Sequence, residues 1–273
     1  MFMSKVDIAL LKKLRSITNA PLKDCKASLI EAEWDIDKAQ EILRKMWAIK
    51  AAKKADRETN EWIVKVIYNN WYVVGVKLAC ETDFVAKNEQ FIKSSDKLVN
   101  TVLNFSIDEI RSLNDLSSND KEELDWIIAD TVSVVGENVR LLDVLKFKAE
   151  NAYIYEHPWS KVVWIVVYDS SDEKWPEIAK EIALQAVAMN PQYISIDNIP
   201  SDIWNKMEKE FRQEVLNSWK PENIVDNIVK WKLNKYFSEL TLLEQPWIRD
   251  DTKKLKTIIP WDFKLIDVIR FAI

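Results

Sequence analysis

Tryptophan and glycine depart from their usual abundances in this chain, and this inversion constrains its fold more than any other feature. The 273 residues include 13 tryptophans and only 2 glycines. A chain of this length ordinarily carries roughly 19 glycines, because glycine averages about 7% of residues. Tight turns that need a positive φ angle are therefore left almost without the residue that adopts it freely.

Many of the tryptophans lie in polar, turn-like settings that usually hold glycine. The clearest of these settings are Glu33-Trp34-Asp35, Asn70-Trp71, Pro158-Trp159-Ser160, Ser218-Trp219-Lys220-Pro221 and Pro260-Trp261-Asp262. A bulky aromatic residue disfavours positive φ and prefers burial. Our hypothesis is that many of these residues are glycine in the living protein, because the source organism decodes UGA as glycine. The alternative is a genuinely tryptophan-rich protein with aromatic cores or binding platforms.

Composition and charge are typical of a globular protein with protein partners. The chain is 48% hydrophobic and 30% charged, and its length suffices for two or three small domains. Its apolar runs, such as 162–168, are far shorter than the ~20 residues of a membrane helix, so we expect a cytoplasmic protein without membrane contact. The net charge of -5 and the pI of about 5.3 argue against a dedicated nucleic-acid-binding protein.

Apolar spacing predicts an α+β fold in three domains. Residues 1–54 have the helical periodicity of three short helices, and we place Trp34 and Trp47 at helix ends. Residues 55–140 combine a hairpin around Asn69-Asn70-Trp71 with helices. Residues 141–273 repeat this plan and include a helical hairpin at about 201–239.

An internal match supports the glycine hypothesis. Val73-Val74-Gly75-Val76 aligns with Val162-Val163-Trp164-Ile165, so the repeat places a tryptophan opposite one of the two glycines.

Residues capable of catalysis are scarce in this sequence. His157 is the single histidine, and neither cysteine nor serine is obviously placed to use it as a base. Cys25 and Cys80 lack the spacing of a zinc or redox pair, so we expect free core thiols. Reading tryptophan as glycine produces neither a phosphate loop nor a dinucleotide fingerprint. We therefore predict no enzyme, no catalytic residue, no metal site and no cofactor.

The segment Thr82-Asp83-Phe84-Val85-Ala86-Lys87-Asn88-Glu89 resembles the signature of the bacterial elongation factor Ts family. That family comprises the nucleotide exchange factors of elongation factor Tu. Further segments resemble it in the same order over nearly the whole chain, at 14–18, 24–26, 48–54, 136–139, 220–224, 243–246 and 269–271. The resemblance implies a UBA-like three-helix domain, a core of two related α+β subdomains with antiparallel sheets, and a protruding helical hairpin.

The resemblance also indicates at which positions the family has glycine where this chain has tryptophan. Glycine is usual or plausible in the family at Trp34, Trp47, Trp62, Trp71, Trp159, Trp164, Trp219, Trp231 and Trp261. Trp247 lies where the family tends to be aromatic. Trp126, Trp175 and Trp204 stay unassigned.

The function implied by the resemblance is binding of elongation factor Tu, in its GDP-bound and nucleotide-free forms, and promotion of GDP release so that GTP can load. Phe84 would insert into the partner's nucleotide-binding domain, and Asp83 would fix the approach near its Mg²⁺ and phosphate loop. Thr82 and Val85 flank this wedge. The resemblance implies supporting contacts at Leu22, Lys26, Val135, Gly136 and His157.

The alternatives to these partner contacts are purely structural roles. Phe84 would pack under its own hairpin, and Leu22, Lys26 and Val135 would be core or solvated positions. A second function, from a different class, is a non-exchanging ribosome- or RNA-binding scaffold protein. It would use the basic linker at 50–60 and exposed tryptophans as stacking platforms. The acidic charge balance weighs against it.

Overall fold

The computed structural model describes residues 7–18, 20–157, 161–169, 174–218 and 221–273. The chain divides into two compact units. The first holds residues 1–148 with 158–162 and 272–273, and the second holds 149–157 with 163–271. Helices and small antiparallel sheets make up the fold, so the predicted α+β class is confirmed. Trp159 and Trp219 lie outside the described residues.

Three helices at the start of the first unit pack around a small apolar core. They are α1 (Ile8–Thr18), α2 (Leu22–Glu31) and α3 (Ile36–Ala52). Leu14, Leu29 and Leu43 meet in this core because each helix turns one apolar face inward. Asp35 is the N-cap of α3, since its side chain accepts hydrogen bonds from two backbone amides of the first turn.

The predicted helix end at Trp47 was wrong. α3 continues for another turn, and the Trp47 side chain is 2% exposed in the core beside Leu43. The helix continues because the apolar spacing runs on through Ala51, which packs against the same core. The Trp47 indole Nε1 is buried and has no hydrogen-bond partner among the described residues.

The first sheet is antiparallel and contains the predicted hairpin. Its strands are β1 (Glu61–Asn69), β2 (Tyr72–Cys80) and β3 (Val139–Lys148), in the order β1-β2-β3. Asn70 and Trp71 connect β1 to β2 with φ angles of 50° and 66°. The boundary predicted between residues 140 and 141 falls inside β3, which pairs with β2 as far as Lys148. The three-domain division stays a prediction.

Helices cover this sheet and supply most of its core. They are the single turn α4 (Asp83–Ala86), α5 (Glu89–Asn104) and α6 (Ser118–Val135), with a 3-10 turn at Leu113–Asp115. Phe91 and Leu98 of α5 pack on Val76 and Leu78 of β2. Gly136 ends α6 at a φ of 82°, in the left-handed region that favours glycine.

The second unit combines another antiparallel sheet with a helical hairpin. Its elements are β4 (Asn151–Glu156), β5 (Val162–Asp169), α7 (Trp175–Met189), α8 (Ser201–Asn217), α9 (Glu222–Leu240), β6 (Pro246–Trp247), β7 (Asp250–Lys254), α10 (Leu255–Ile258) and β8 (Lys264–Ala272), with 3-10 turns at Ile196–Asn198 and Leu242–Glu244. The sheet order is β4-β5-β8. α8 and α9 pack together around Val215, Val229 and Phe237, which confirms the helices predicted at about 201–239.

Candidate functional site

The short connection from β2 to α5 presents an aromatic side chain to solvent. Phe84 lies in α4 and is 81% exposed. It therefore does not pack beneath its own hairpin. Single exposed apolar residues are common on protein surfaces, so the exposure becomes informative only through the way the turn is built.

Caps and buried side chains hold this turn. Thr82 is the N-cap of α4, and its Oγ1 accepts a hydrogen bond from the Val85 amide at 3.4 Å. Val85 and Ala86 are each 8% exposed and belong to the core of the first unit. Because these two residues face inward, Phe84 faces outward. This placement gives Val85 the role of an anchor for the turn.

Asp83 is fixed beside Phe84 by an ion pair within the turn. The Lys87 ammonium lies 2.9 Å from the Asp83 carboxylate, four residues along the chain. This hydrogen bond lowers the pKa of Asp83, so the side chain is an anion at neutral pH. The turn thus displays a negative charge next to an exposed ring.

A carboxylate from a distant part of the chain holds the start of the turn. Glu137 accepts two hydrogen bonds from Thr82: from the amide to Oε2 at 3.0 Å, and from Oγ1 to Oε1 at 2.7 Å. Glu137 was not among the predicted site residues. The only signal available in the sequence was its position in the family-like segment Gly136-Glu137-Asn138-Val139.

Through Glu137 the structure connects two groups of predicted contact residues. Val135 is half-buried at the end of α6, and Gly136 is exposed directly after it. The Gly136 carbonyl accepts a hydrogen bond from Lys54 Nζ at 2.6 Å. Burial, followed by the positive charge of Arg57, lowers the pKa of Lys54. The segment after α6 and the turn that carries Phe84 are therefore joined by direct hydrogen bonds.

The remaining predicted residues lie on other elements. Leu22 and Lys26 are exposed one turn apart on α2, which packs on α1 and α3. His157 belongs to the second unit, where it follows β4 and is exposed. Its ring centroid is 6.3 Å from that of Tyr155. The structure offers all three side chains to solvent.

A cavity of about 250 Å³ adjoins the turn within the first unit. Asp83, Lys87 and Trp62 contribute to its lining. Lys161 Nζ lies 2.7 Å from the Glu61 carboxylate at its edge. Charged groups of both signs thus surround the base of the turn.

Metal-binding clusters and membrane-spanning helices are both absent from the described ranges. No group of three or more histidine, cysteine, aspartate or glutamate side chains there is arranged to hold a metal ion. In the same ranges, no helix is both long and apolar enough to cross a membrane.

Comparisons with known proteins agree with the signature around Phe84. Residues 81–273 match the family model described as Elongation factor TS. Elongation factor Ts of Aquifex aeolicus (strain VF5) is 33% identical, over 96% of this chain and 94% of the relative. That of Chlorobium phaeobacteroides (strain BS1) is 34% identical, over 94% and 92%. That of Halothermothrix orenii is 36% identical, over 88% and 83%. The chain therefore belongs to the elongation factor Ts family.

Proposed function

We propose that this chain is a guanine nucleotide exchange factor that binds elongation factor Tu and promotes GDP release, allowing GTP to load during translation elongation. Membership of the elongation factor Ts family supports this function. The observation that carries it is the exposure of Phe84 on a turn that is capped, ion-paired and anchored. We place this activity in the cytoplasm.

Exchange of this kind makes and breaks no covalent bond. The factor binds the nucleotide-free partner more tightly than the GDP-bound one, so factor and nucleotide weaken each other's binding by one coupling free energy. If the partner holds GDP with a Kd near 1 nM, about 12 kcal/mol of binding must be offset. The contacts therefore have to be stronger in the nucleotide-free state. The chain needs no cofactor for this.

Phe84 is the wedge in this proposal. Its exposed ring inserts into the nucleotide-binding domain of elongation factor Tu, and burial of such a ring supplies part of the binding free energy. The Asp83 carboxylate, held by Lys87, orients the approach and disturbs the surroundings of the partner's Mg²⁺ and phosphate loop. Thr82 and Val85 shape the turn.

Supporting contacts are proposed on three other surfaces. The exposed Leu22 and Lys26 of α2 form one of them, and Val135 with Gly136 at the end of α6 forms the second. His157, exposed after β4, forms the third. The RNA-binding scaffold would use the exposed rings of Trp71, Trp231 and Trp261 as stacking platforms, and the net charge of -5 weighs against it.

The function is tested by the release of labelled GDP from purified elongation factor Tu. Addition of the chain, made with the codon assignments of its source organism, accelerates release if the proposal is correct. An unchanged release rate refutes the exchange function.

We also propose that UGA is decoded as glycine in the source organism and that many of the tryptophans are glycine in the living protein. Trp34 and Trp71 support this proposal, since their φ angles of 68° and 66° are in the left-handed region that glycine adopts without strain. Trp261 supports it differently, because a ring that is 96% exposed contributes nothing to a core.

Other tryptophans limit the proposal. Trp164 and Trp175 are buried in the second unit, and Trp204 stacks on Phe237 at a centroid distance of 4.7 Å. The mass of a native peptide spanning Asn70 to Lys77 shows whether position 71 holds tryptophan or glycine. The codons of the gene answer the same question at every position. UGG codons or a tryptophan mass would contradict the decoding proposal.

A further inference from the structure

We propose that Glu137 is a positioning residue for nucleotide exchange: its carboxylate fixes the turn that presents Asp83 and Phe84 to elongation factor Tu. This inference rests on the proposed function of Phe84. Glu137 itself is half-buried and acts through Thr82.

The hydrogen bonds place Glu137 at the point where the turn begins. Both oxygens of its carboxylate are used, one by the Thr82 amide and one by the Thr82 hydroxyl. The same hydroxyl oxygen accepts the Val85 amide across the turn. Hydrogen bonds to an ionised acceptor are about twice as strong as neutral ones. One carboxylate therefore sets the orientation of the whole segment between Thr82 and Val85.

The chain on both sides of Glu137 is itself held in place. Gly136 takes the left-handed conformation that redirects the chain after α6, and its carbonyl is bound by Lys54. Asn138 is buried, and its backbone N–H donates a hydrogen bond to Glu81 Oε1 at 2.6 Å. With its neighbours fixed, the backbone of Glu137 loses little further conformational freedom when the carboxylate binds Thr82, and only the side-chain torsions remain to be ordered.

The turn needs such support because it is short. α4 has only four residues, far fewer than the ~12 that an isolated helix requires in water. Val85 and Ala86 secure its inner side, and Glu137 secures its first residue. Without Glu137 the turn would adopt further orientations. The apparent affinity for the partner equals the intrinsic affinity multiplied by the fraction of molecules whose turn keeps the competent orientation.

The experiment compares GDP release from elongation factor Tu promoted by the full chain and by Glu137→Ala, Glu137→Gln, Phe84→Ala and the Glu137→Ala/Phe84→Ala double variant. Glu109→Ala is the control. Glu109 is an exposed residue of the same unit, and its carboxylate lies 2.8 Å from the Arg111 guanidinium at the surface. Hydrogen exchange of the Thr82 and Val85 amides gives a second readout that does not depend on the partner.

We expect Glu137→Ala to lower kcat/KM of release about tenfold and to speed exchange of both amides. Glu137→Gln retains most of the activity, because its amide oxygen still accepts from Thr82 N and its NH₂ can donate to the hydroxyl. The double variant is no slower than Phe84→Ala, and Glu109→Ala matches the unmodified chain.

Two results would overturn the positioning role. One is an unchanged release rate and unchanged amide protection in Glu137→Ala. The other is a further loss in the double variant as large as the loss in Glu137→Ala alone, which would show that Glu137 acts independently of Phe84. A Phe84→Ala variant as active as the unmodified chain would instead overturn the wedge, whatever the amides of Glu137→Ala show.

Discussion

Replacing Trp71 by glycine should stabilise the first unit. Trp71 and Asn70 form the two-residue turn between β1 and β2, and both have positive φ. This is the geometry for which Asn-Gly is preferred, because the second residue takes φ > 0 most easily without a Cβ atom. The Trp71 ring is 67% exposed, so its removal sacrifices little apolar burial.

The size of the effect follows from two opposing contributions. A side chain in the left-handed region destabilises the folded state by about 1–2 kcal/mol. Glycine loses more backbone entropy on folding, which offsets about 0.5–1 kcal/mol of this gain. We therefore expect Trp71→Gly to raise the free energy of unfolding by about 0.5–1 kcal/mol, and the midpoint of thermal unfolding by about 1–4 °C.

Trp71→Ala is the matched control for this prediction. Alanine also removes the exposed ring but keeps the Cβ atom that makes φ 66° unfavourable. Thermal and urea unfolding followed by circular dichroism measure both variants. A Trp71→Gly variant no more stable than Trp71→Ala would show that the positive φ at this position does not destabilise the chain. The comparison tests the conformational argument alone, independently of how UGA is read.

Two further predictions concern buried polar groups of the first unit. Lys146→Met should lower the free energy of unfolding by about 1–3 kcal/mol, because the buried ammonium donates to two backbone carbonyls at the end of α5. Lys148→Met should lower it clearly less than Lys146→Met does, since the Lys148 ammonium pairs with Asp108 at the surface, where solvent screens the interaction. Equal losses in a urea titration would contradict the assignment. Cys25 and Cys80 should not react with a disulfide reagent at pH 8 until the chain is unfolded, because both thiols are buried and burial raises the pKa of Cys80 to about 12. Rapid modification of the folded protein would show that these thiols are accessible.

Local sequence signals predicted the elements that depend on neighbouring residues. The hairpin at Asn69-Asn70-Trp71 follows from turn chemistry, and the helices follow from apolar spacing. Trp47 was misplaced because it was treated as a glycine-like stop, whereas the apolar spacing of α3 runs through it to the end of the helix. At that position, packing of the apolar face of α3 determined the length of the helix, and the expected stop signal did not.

The arrangement around Phe84 could be predicted only in part. The signature identified the residues, but a four-residue turn is too short for apolar spacing to show that Val85 faces inward and Phe84 outward. Glu137 was missed because its partner Thr82 lies 55 residues earlier, and no pattern along the chain encodes such a pairing. Contacts of this kind arise only when the segment after α6 returns to the sheet.

The role of Phe84 in nucleotide release is tested by stopped-flow measurement of labelled GDP leaving elongation factor Tu. The unmodified chain, Phe84→Ala and Ile49→Ala are compared; Ile49 is an exposed apolar residue of α3 without an assigned role. We expect Ile49→Ala to match the unmodified chain, while Phe84→Ala lowers kcat/KM by roughly 30-fold or more, as for a residue at the centre of an interface. A Phe84→Ala chain that releases GDP as fast as the unmodified one would show that Phe84 does not drive release.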